Sequence, residues 1–535
     1  MPETPPKYRL TYFQRDQLAF FVTHPRPVQP NQEEVSALLS KSNEILGSLG
    51  YKARLEPQPR SVYTFPKVGN KDYVSNLDEK RKPTVTPRDP SSIISATVTA
   101  ASEEEDDPIK FFQMVTKLED ELSKMQLTGL TLGAVSLDWL VGGSPDGNGT
   151  GGPGGWPVAY RGSPERAPFR FNNLPKSVID GNRGEGVDVI ILDTAITEQD
   201  KAAAYNEFQY RHPLIHSLLR PEPEGRLHIT PLPQLQQQHI AELRTLGHDY
   251  KMPDHGLFAA GIIHTIAPCA QIYLVEVLNP YGVGDLDSIL WGLDFVIRHI
   301  QNNPDRRVVV NSSLCLDLPI GEQHCRTIPV VDNCFADLFT ELDRQLEELI
   351  CSQIKNDPKW IENQKLSMQA PCDVVFELKS RVIAAAGNDH RPGQNVAPQA
   401  RYPAALESVQ GVGALPKNLP RKNGKYRTAS YSNQADAPRR IGITTLGGEE
   451  GEGQGVLGLY LGEFPCGEQN CTKWAWWSGT SFATPVVTGI TAAVLSNMNG
   501  QGRETQDAIE KLYNDNNIEN GGAEHEEDAL SMIQS

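Results

Sequence analysis

Beyond residue 175, four stretches are apolar almost without interruption, and each stops at polar or glycine residues. They are VDVIILD (187–193), QIYLVEVL (271–278), RVVVNSSL (307–314) and RVIAAAGN (381–388). Continuous rather than alternating hydrophobicity predicts parallel strands covered on both faces. Between them, HGLFAAGIIHTI (255–266) and DLDSILWGLDFVIRHI (285–300) are predicted as helices. This alternation predicts an α/β fold, a doubly wound and mostly parallel sheet with helices on both faces. In such sheets the chemistry lies at the C-terminal strand ends, where Asp193 and Asn388 fall. Residues 315–380 interrupt the pattern with a long insertion, with an amphipathic helix around 335–354, and the insertion is expected to be a solvated helical excursion.

The first 140 residues have a different pattern. Residues 8–24 have strand-like composition, 32–49 show helical spacing of Val35, Leu38, Leu39, Ile45 and Leu46, and 51–55 read as a returning strand. Residues 57–107, rich in Pro, Ser and charge and ending in EEEDD, are expected to be partly mobile. A second helix is predicted over 109–125. GGSPDGNGTGGPGG then has the composition of a flexible linker. The expected organisation is a small α/β N-terminal domain (1–140), a Gly/Pro-rich linker (141–174), a main domain (175–500) containing the insertion, and a C-terminal helix followed by a disordered acidic tail (501–535).

Composition narrows the function classes. A formal net charge of -17 argues against nucleic-acid binding, which needs a basic face. No apolar run approaches the roughly 20 residues of a membrane span. The first residues lack the pattern of a secretory signal, so the chain is expected to be cytoplasmic, with its 8 cysteines mostly free thiols. Cys466 and Cys471, in CGEQNC, are close enough for a disulfide or half a metal site, although two reduced loop cysteines fit better. Cys325, Cys334, Cys351 and Cys372 lack zinc-ligand spacing.

The candidate chemistry centres on WSGTSFATP (477–485). Here Ser481 stands where a glycine-bearing turn meets a small-residue helix, whose N-terminus offers free N–H groups and a positive dipole end. Asp193 ends a predicted strand and His255 opens a predicted helix. Asp, His and Ser in that chain order at the mouth of a doubly wound sheet form one known order of the hydrolytic triad. Taken singly, each residue has a bland alternative: a helix cap, a strand-end aspartate, a surface histidine.

Taken together, the motifs resemble those of the subtilisin-like serine proteases (subtilases) over roughly residues 175–500. They are ILDTAI around Asp193, HGLFAAGII around His255 followed by IAPCAQIY, VNSSL (310–314), AAAGN (384–388), RYPAA (401–405) leading to VQGVGA, YSN (431–433) and SGTSFATP (478–485). The resemblance implies a serine endopeptidase with Ser481 as nucleophile, His255 as base and Asp193 as its orienting carboxylate. It also implies Asn388 as an oxyanion-hole donor beside the Ser481 N–H. Ser313 and Leu314 would run beside an extended peptide substrate, with Ala385, Ala386 and Gly387 forming the facing wall of the main specificity pocket.

Ala195, Leu257 and Cys315 depart from the family's usual glycine, threonine and glycine, and Cys315 is expected to narrow the groove. No metal or cofactor is predicted, since calcium loops of the family are not identifiable in these residues. The expected partner is a protein or peptide substrate, with the N-terminal domain as a propeptide or regulatory unit that binds the catalytic domain. The alternative is a catalytically silent binding or scaffold protein on the same fold.

Overall fold

The computed structural model describes residues 13–534 apart from 26–27, 58–59, 70–80, 84, 101–106, 128, 144–155, 180, 222, 242, 244–249, 317, 319–340, 391–395, 436–441, 450, 465–466, 499–503, 516, 521 and 524–527. Most of the glycine-rich linker, the start of the EEEDD run, part of the acidic tail and Cys325, Cys334 and Cys466 therefore lie outside the described residues.

The N-terminal unit runs β1 (Phe13–Thr23), α1 (Gln32–Ser48), β2 (Arg54–Leu55), β3 (Ser61–Phe65), β4 (Ser91–Thr99), α2 (Pro108–Ser123) and β5 (Thr131–Gly143). Asn31 and Glu34 open α1 with a reciprocal capping box, both bonds 2.9 Å. Asp107 caps α2, with Pro108 in the first turn, where its missing N–H costs nothing. The sheet is antiparallel: β1 lies between β4 and β5, while β2 and β3 flank β4. Phe20 sits opposite both Ile94 and Val135, so the buried faces of the three long strands share one core. This corrects the α/β expectation for the unit. Within 57–107, expected to be mobile in part, β3 and β4 are ordered strands, and 58–59, 70–80, 84 and 101–106 lie outside the described residues.

The second unit contains β6 (Val158–Ala159), α3 (Lys176–Ile179), β7 (Val187–Asp193), α4 (Glu198–Phe208), α5 (Pro213–Leu218), β8 (Leu227–Thr230), α6 (Gln234–Ile240), α7 (His255–Ile266), β9 (Gln271–Glu276), β10 (Val283–Asp285) and α8 (Leu286–Asn302). It continues with β11 (Arg307–Ser312), β12 (Leu314–Leu316), α9 (Glu341–Asn356), α10 (Pro358–Glu377), β13 (Val382–Ala385), β14 (Gln410–Leu415), β15 (Arg421–Lys422), β16 (Lys425–Tyr426), β17 (Ile443–Leu446), β18 (Val456–Leu459), β19 (Trp474–Trp477), α11 (Thr480–Ser496), α12 (Thr505–Asn514) and β20 (Asp528–Leu530). The described strands of its main sheet run β20-β17-β14-β13-β11-β7-β9-β8, every pair parallel.

Alternate residues of the central strands feed two cores, as a sheet covered on both faces requires. Val187, Val189, Ile191, Val309 and Ile383 face α7 and α11. Ile190, Leu192, Val308, Val310 and Ala384 face α8 and α10, and that core is continuous with the N-terminal unit.

Three boundaries differ from the sequence reading. The second half of the expected linker is structured: β6 pairs with β19, and the Trp474 indole donates to Pro164 O at 3.1 Å. The C-terminal tail returns to the main sheet, where β20 pairs with β17. The insertion is not a solvated excursion, because α10 is buried along one side by Trp360, Gln364 and Met368. Among the described residues no helix is long and apolar enough to cross a membrane.

Candidate active site

Strand β7 is buried along its whole length and ends at Asp193. The fully buried His255 opens α7 and points its Nδ1 at Asp193, 2.8 Å from Oδ1 and 3.0 Å from Oδ2. Thr194, which sequence reasoning passed over, locks the two elements together. Its hydroxyl donates to Pro253 O at 2.9 Å and accepts the Gly256 N–H at 3.1 Å. The approach is so close that a Cβ on Gly256 would stand 2.3 Å from Thr194 O, so only glycine fits there.

The residue before His255 is also fixed. Asp254 is buried and accepts the Leu461 N–H at 2.8 Å and the Gly462 N–H. Burial pushes its carboxyl up to about 6, against those backbone donors. The imidazole is held from the other side by rings, Trp477 edge-on at 5.3 Å between centroids and Phe482 at 5.2 Å. Trp477 and Phe482 flank the GTS turn in sequence, and that position was the available signal for them.

Ser481 is the second residue of α11. Gly479 precedes the helix at φ 156°, ψ 158°, a backbone region open almost only to glycine. The Ser481 hydroxyl donates to Ser313 O at 3.1 Å, and the Ser313 hydroxyl donates to Ser481 O at 2.8 Å. The structure therefore joins Asp193 to His255 and Ser481 to Ser313. It places no hydrogen bond on His255 Nε2, which is buried.

Asn388 lies just beyond the end of β13, buried against α11. Its Oδ1 accepts the Thr480 N–H at 3.0 Å and the Thr480 hydroxyl at 2.9 Å, which assigns the amide's donor end to the opposite side. The backbone of the expected pocket wall is firmly tied. Ala386 N donates to Val412 O at 3.0 Å, and Gly387 N donates to the Thr480 hydroxyl at 3.2 Å. Behind it, Arg401 makes a bidentate pair with Asp389, both bonds 2.7 Å.

The path expected for a substrate beside Ser313 and Leu314 is occupied by the protein's own β5. The end of β5 runs antiparallel between β10 and β12: Leu140, Val141 and Gly142 face Asp285, Gly284 and Val283, and Gly143 faces Leu314. Cys315 lies opposite Gly142 and turns its thiol to Ala385 O at 3.4 Å, so it lines the wall without closing the strand's path. The unbroken strand-like run TLGAVSLDWLV (131–141) was the signal for β5, masked by the glycines that follow it. Ala195 is absent from the non-glycine residues with positive φ, so its methyl group meets no backbone strain.

Among the described residues no group of three or more His, Cys, Asp or Glu is disposed to hold a metal ion. Cys269, Cys315, Cys372 and Cys471 are thiols outside any disulfide, and Cys351 is disulfide-bonded.

Comparison with known proteins agrees with the motifs. The profile of the subtilase family matches residues 184–526. Serine protease AprX of Bacillus subtilis (strain 168) is 24% identical over 325 residues, 58% of this chain and 57% of its own length, so the chain spans less than two thirds of that relative. The solved structure of the prenylagaramide maturation protease PagA matches 63% of this chain and 87% of its own, at 21% identity and a TM-score of 0.35.

Proposed function

Because the chain belongs to the subtilase family, we propose that it is a serine endopeptidase hydrolysing peptide bonds through Ser481, His255 and Asp193. The observation that carries this reading is the buried Asp193–His255 pair, bonded at 2.8 and 3.0 Å with the far imidazole nitrogen unused. Asp193 holds the Nδ1–H tautomer, which leaves Nε2 with the lone pair a general base needs. The reading requires the Ser481 hydroxyl to leave Ser313 O and bond that nitrogen in the reacting complex. Catalytic hydrogen bonds are commonly long or misaligned until substrate binds.

The proton then passes from Ser481 Oγ to His255 Nε2 as Oγ attacks the carbonyl, and from Nε2 to the leaving amine as the acyl-enzyme forms. Water reverses both steps. The oxyanion would meet the Asn388 Nδ2 donor and the Ser481 N–H at the start of α11, groups already oriented before charge develops. An extended peptide would pair with Leu314 and the strand Val283–Asp285, as Leu140–Gly143 do here. Ala385, Ala386 and Gly387 would form the wall of a neutral specificity pocket, since Arg401 neutralises Asp389 behind it.

In the same reading the N-terminal unit is an inhibitor in cis. Its β5 fills the groove, and Asp193, His255, Ser481 and Asn388 are all buried. A serine-directed fluorophosphonate tests both parts. Ser481 should label slowly in the intact chain and faster once Leu140–Gly143 are displaced. His255→Ala should cut labelling by about 10²–10⁴-fold, the usual contribution of a general base. No labelling at Ser481 in either form would leave a non-catalytic scaffold on the same fold as the better description.

A further inference from the structure

The insertion has no part in the chemistry described above, yet it packs on β5 and bonds its backbone. Until Leu140, one edge of β5 pairs with β1, and among the described residues no strand pairs with the other. Such an edge must be paired or covered. One side chain of α10 does this. Gln364 Oε1 accepts the Leu137 N–H at 3.1 Å, the Ser136 hydroxyl at 3.2 Å and the Trp139 indole N–H at 3.1 Å, while its Nε2 donates to Val135 O at 3.0 Å. A buried amide thus stands in for a neighbouring strand.

One turn earlier, Trp360 packs edge-on against Phe112 and Trp139, with centroids 5.5 and 6.1 Å away. Further along the same helix Asp373 forms a buried ion pair with Arg88. Asn363 bonds Glu119 at 3.1 Å, and Gln369 bonds Thr86 at 3.1 Å. At the far end of the unit Arg81 reaches Asp528 of β20 with two bonds of 2.7 and 2.8 Å.

We propose that the insertion is a clamp and the N-terminal unit a permanent subunit: α10 keeps the unit docked whether or not the chain between Gly143 and Trp156 is intact. Two features distinguish this from a segment held only by its covalent connection. The core on that side is continuous across the junction, from Phe13, Phe112 and Trp139 through Trp360 to Val375 and Leu293. The polar groups buried at the centre of the clamp are paired across it, so separation would strand Val135 O, Leu137 N and the Trp139 indole without partners. The proposal deepens the inhibitor reading, because groove opening then requires only that Leu140–Gly143 peel away from β10 and β12.

The test uses the full chain with Ser481→Ala and a site for a specific protease placed in the glycine-rich stretch 146–155. After cutting, the two pieces are expected to co-elute in size exclusion at low micromolar concentration, and the Leu137 amide should keep its hydrogen-exchange protection. In a cut Trp360→Ala/Gln364→Ala chain the affinity between the pieces should fall by more than about hundredfold. Separation of the cut pieces without those two substitutions, or loss of Leu137 protection on cutting, overturns the proposal, and neither measurement depends on how the double variant folds. A folded double variant that binds as tightly overturns it as well. The Ser481→Ala background removes proteolysis by design. A failure here therefore leaves the protease reading standing, and a failure to label Ser481 leaves this result untouched.

Discussion

Two of the places where the N-terminal unit meets the second unit are built in opposite ways. Around Trp360 and Gln364 of α10 the contact is apolar and the backbone groups of β5 are paired, while further out burial pushes Glu119 up to about 7 and Asp373, beside Arg88, up to about 6. At the corner where β10 turns into α8, three carboxylates and one guanidinium are enclosed together. Arg60 stands 3.6 Å from Asp285 and 3.6 Å from Asp287, and Asp138 completes the group. Gln14 donates to Asp285 at 2.7 Å, Ser61 donates to Asp287, and the Tyr63 hydroxyl reaches Asp287 O at 3.3 Å. Even so, one Asp287 oxygen and two Arg60 nitrogens make no hydrogen bond, and the Asp138 carboxylate has only the Asp287 backbone as a hydrogen-bonding neighbour. The difference teaches that one interface can be firm at one end and conditional at the other. The Trp360–Gln364 contact holds through groups that do not titrate, whereas an excess of buried acid holds only as far as protons supply the missing positive charge.

Breaking the firm end should have the largest effect. Trp360→Ala removes a buried indole from the clamp and is expected to cost about 3–5 kcal/mol of stability, read by thermal or denaturant unfolding of the Ser481→Ala chain. A cost under about 1 kcal/mol, the size of an ordinary surface change, would show that the clamp is loosely packed.

Arg60→Met attacks the conditional end. It leaves three buried acids without a cation and should cost about 3–5 kcal/mol at neutral pH, shrinking towards pH 4 as Asp138 and Asp285 take up protons. An effect that does not vary with pH would erase the distinction between the two ends. Gln364→Leu keeps the bulk of the side chain but orphans Val135 O and Leu137 N, for an expected loss of about 1–3 kcal/mol. That loss should be independent of pH.

The smallest effect sharpens the comparison most. Burial raises the Asp138 carboxyl well above the ordinary range, with Asp285 adding and Arg60 opposing, and burial likewise raises Asp285. Docking therefore takes up protons. The contribution is fully present below the ordinary carboxylate value near pH 4 and is lost as pH rises through the raised values. Each proton involved contributes a slope of about 1.4 kcal/mol per pH unit within that window.

The other titratable groups at the corner are Asp16, Asp287, Tyr63 and His239. Burial, with a further push from Asp287, raises the Tyr63 phenol, so it stays protonated. Burial, helped by Arg60, lowers the His239 imidazole, which opposes the trend on the acid side of about pH 6.5. Asp138→Asn should flatten the pH dependence of the cut pieces' affinity and tighten their binding at pH 7. Unchanged slopes would remove Asp138 from the account.

The parallel sheet was legible in the sequence because burial on both faces leaves no polar alternation to interrupt a run. Strand β7 occupies the expected residues 187–193, and α7 the expected 255–266. The candidate triad was legible for a different reason, since each member lies in a motif whose glycines and small residues meet steric demands such as the one at Gly256. The N-terminal unit hid its strands in polar composition. In β4, SSIISATVT, Ser91, Ser92 and Ser95 are buried, and Ser92 is bonded to His24 and Thr64. The insertion hid its burial similarly, because Gln364 and Asp373 read as solvent-facing until the groups they satisfy are known. In β20 only three residues form the strand, too few for any period to register.

The shared strand β5 has a kinetic consequence. A segment tethered beside its own binding site acts as a competitor whose effective concentration is on the order of millimolar. A peptide arriving at micromolar concentration must outbid it. Under the proposed reading, substrates that offer only a matching backbone are excluded, and the apparent KM of the intact protein carries the occupancy of Leu140–Gly143 as a multiplying factor. Selectivity would then reside as much in how readily a substrate displaces four residues of the enzyme as in any pocket that receives a side chain.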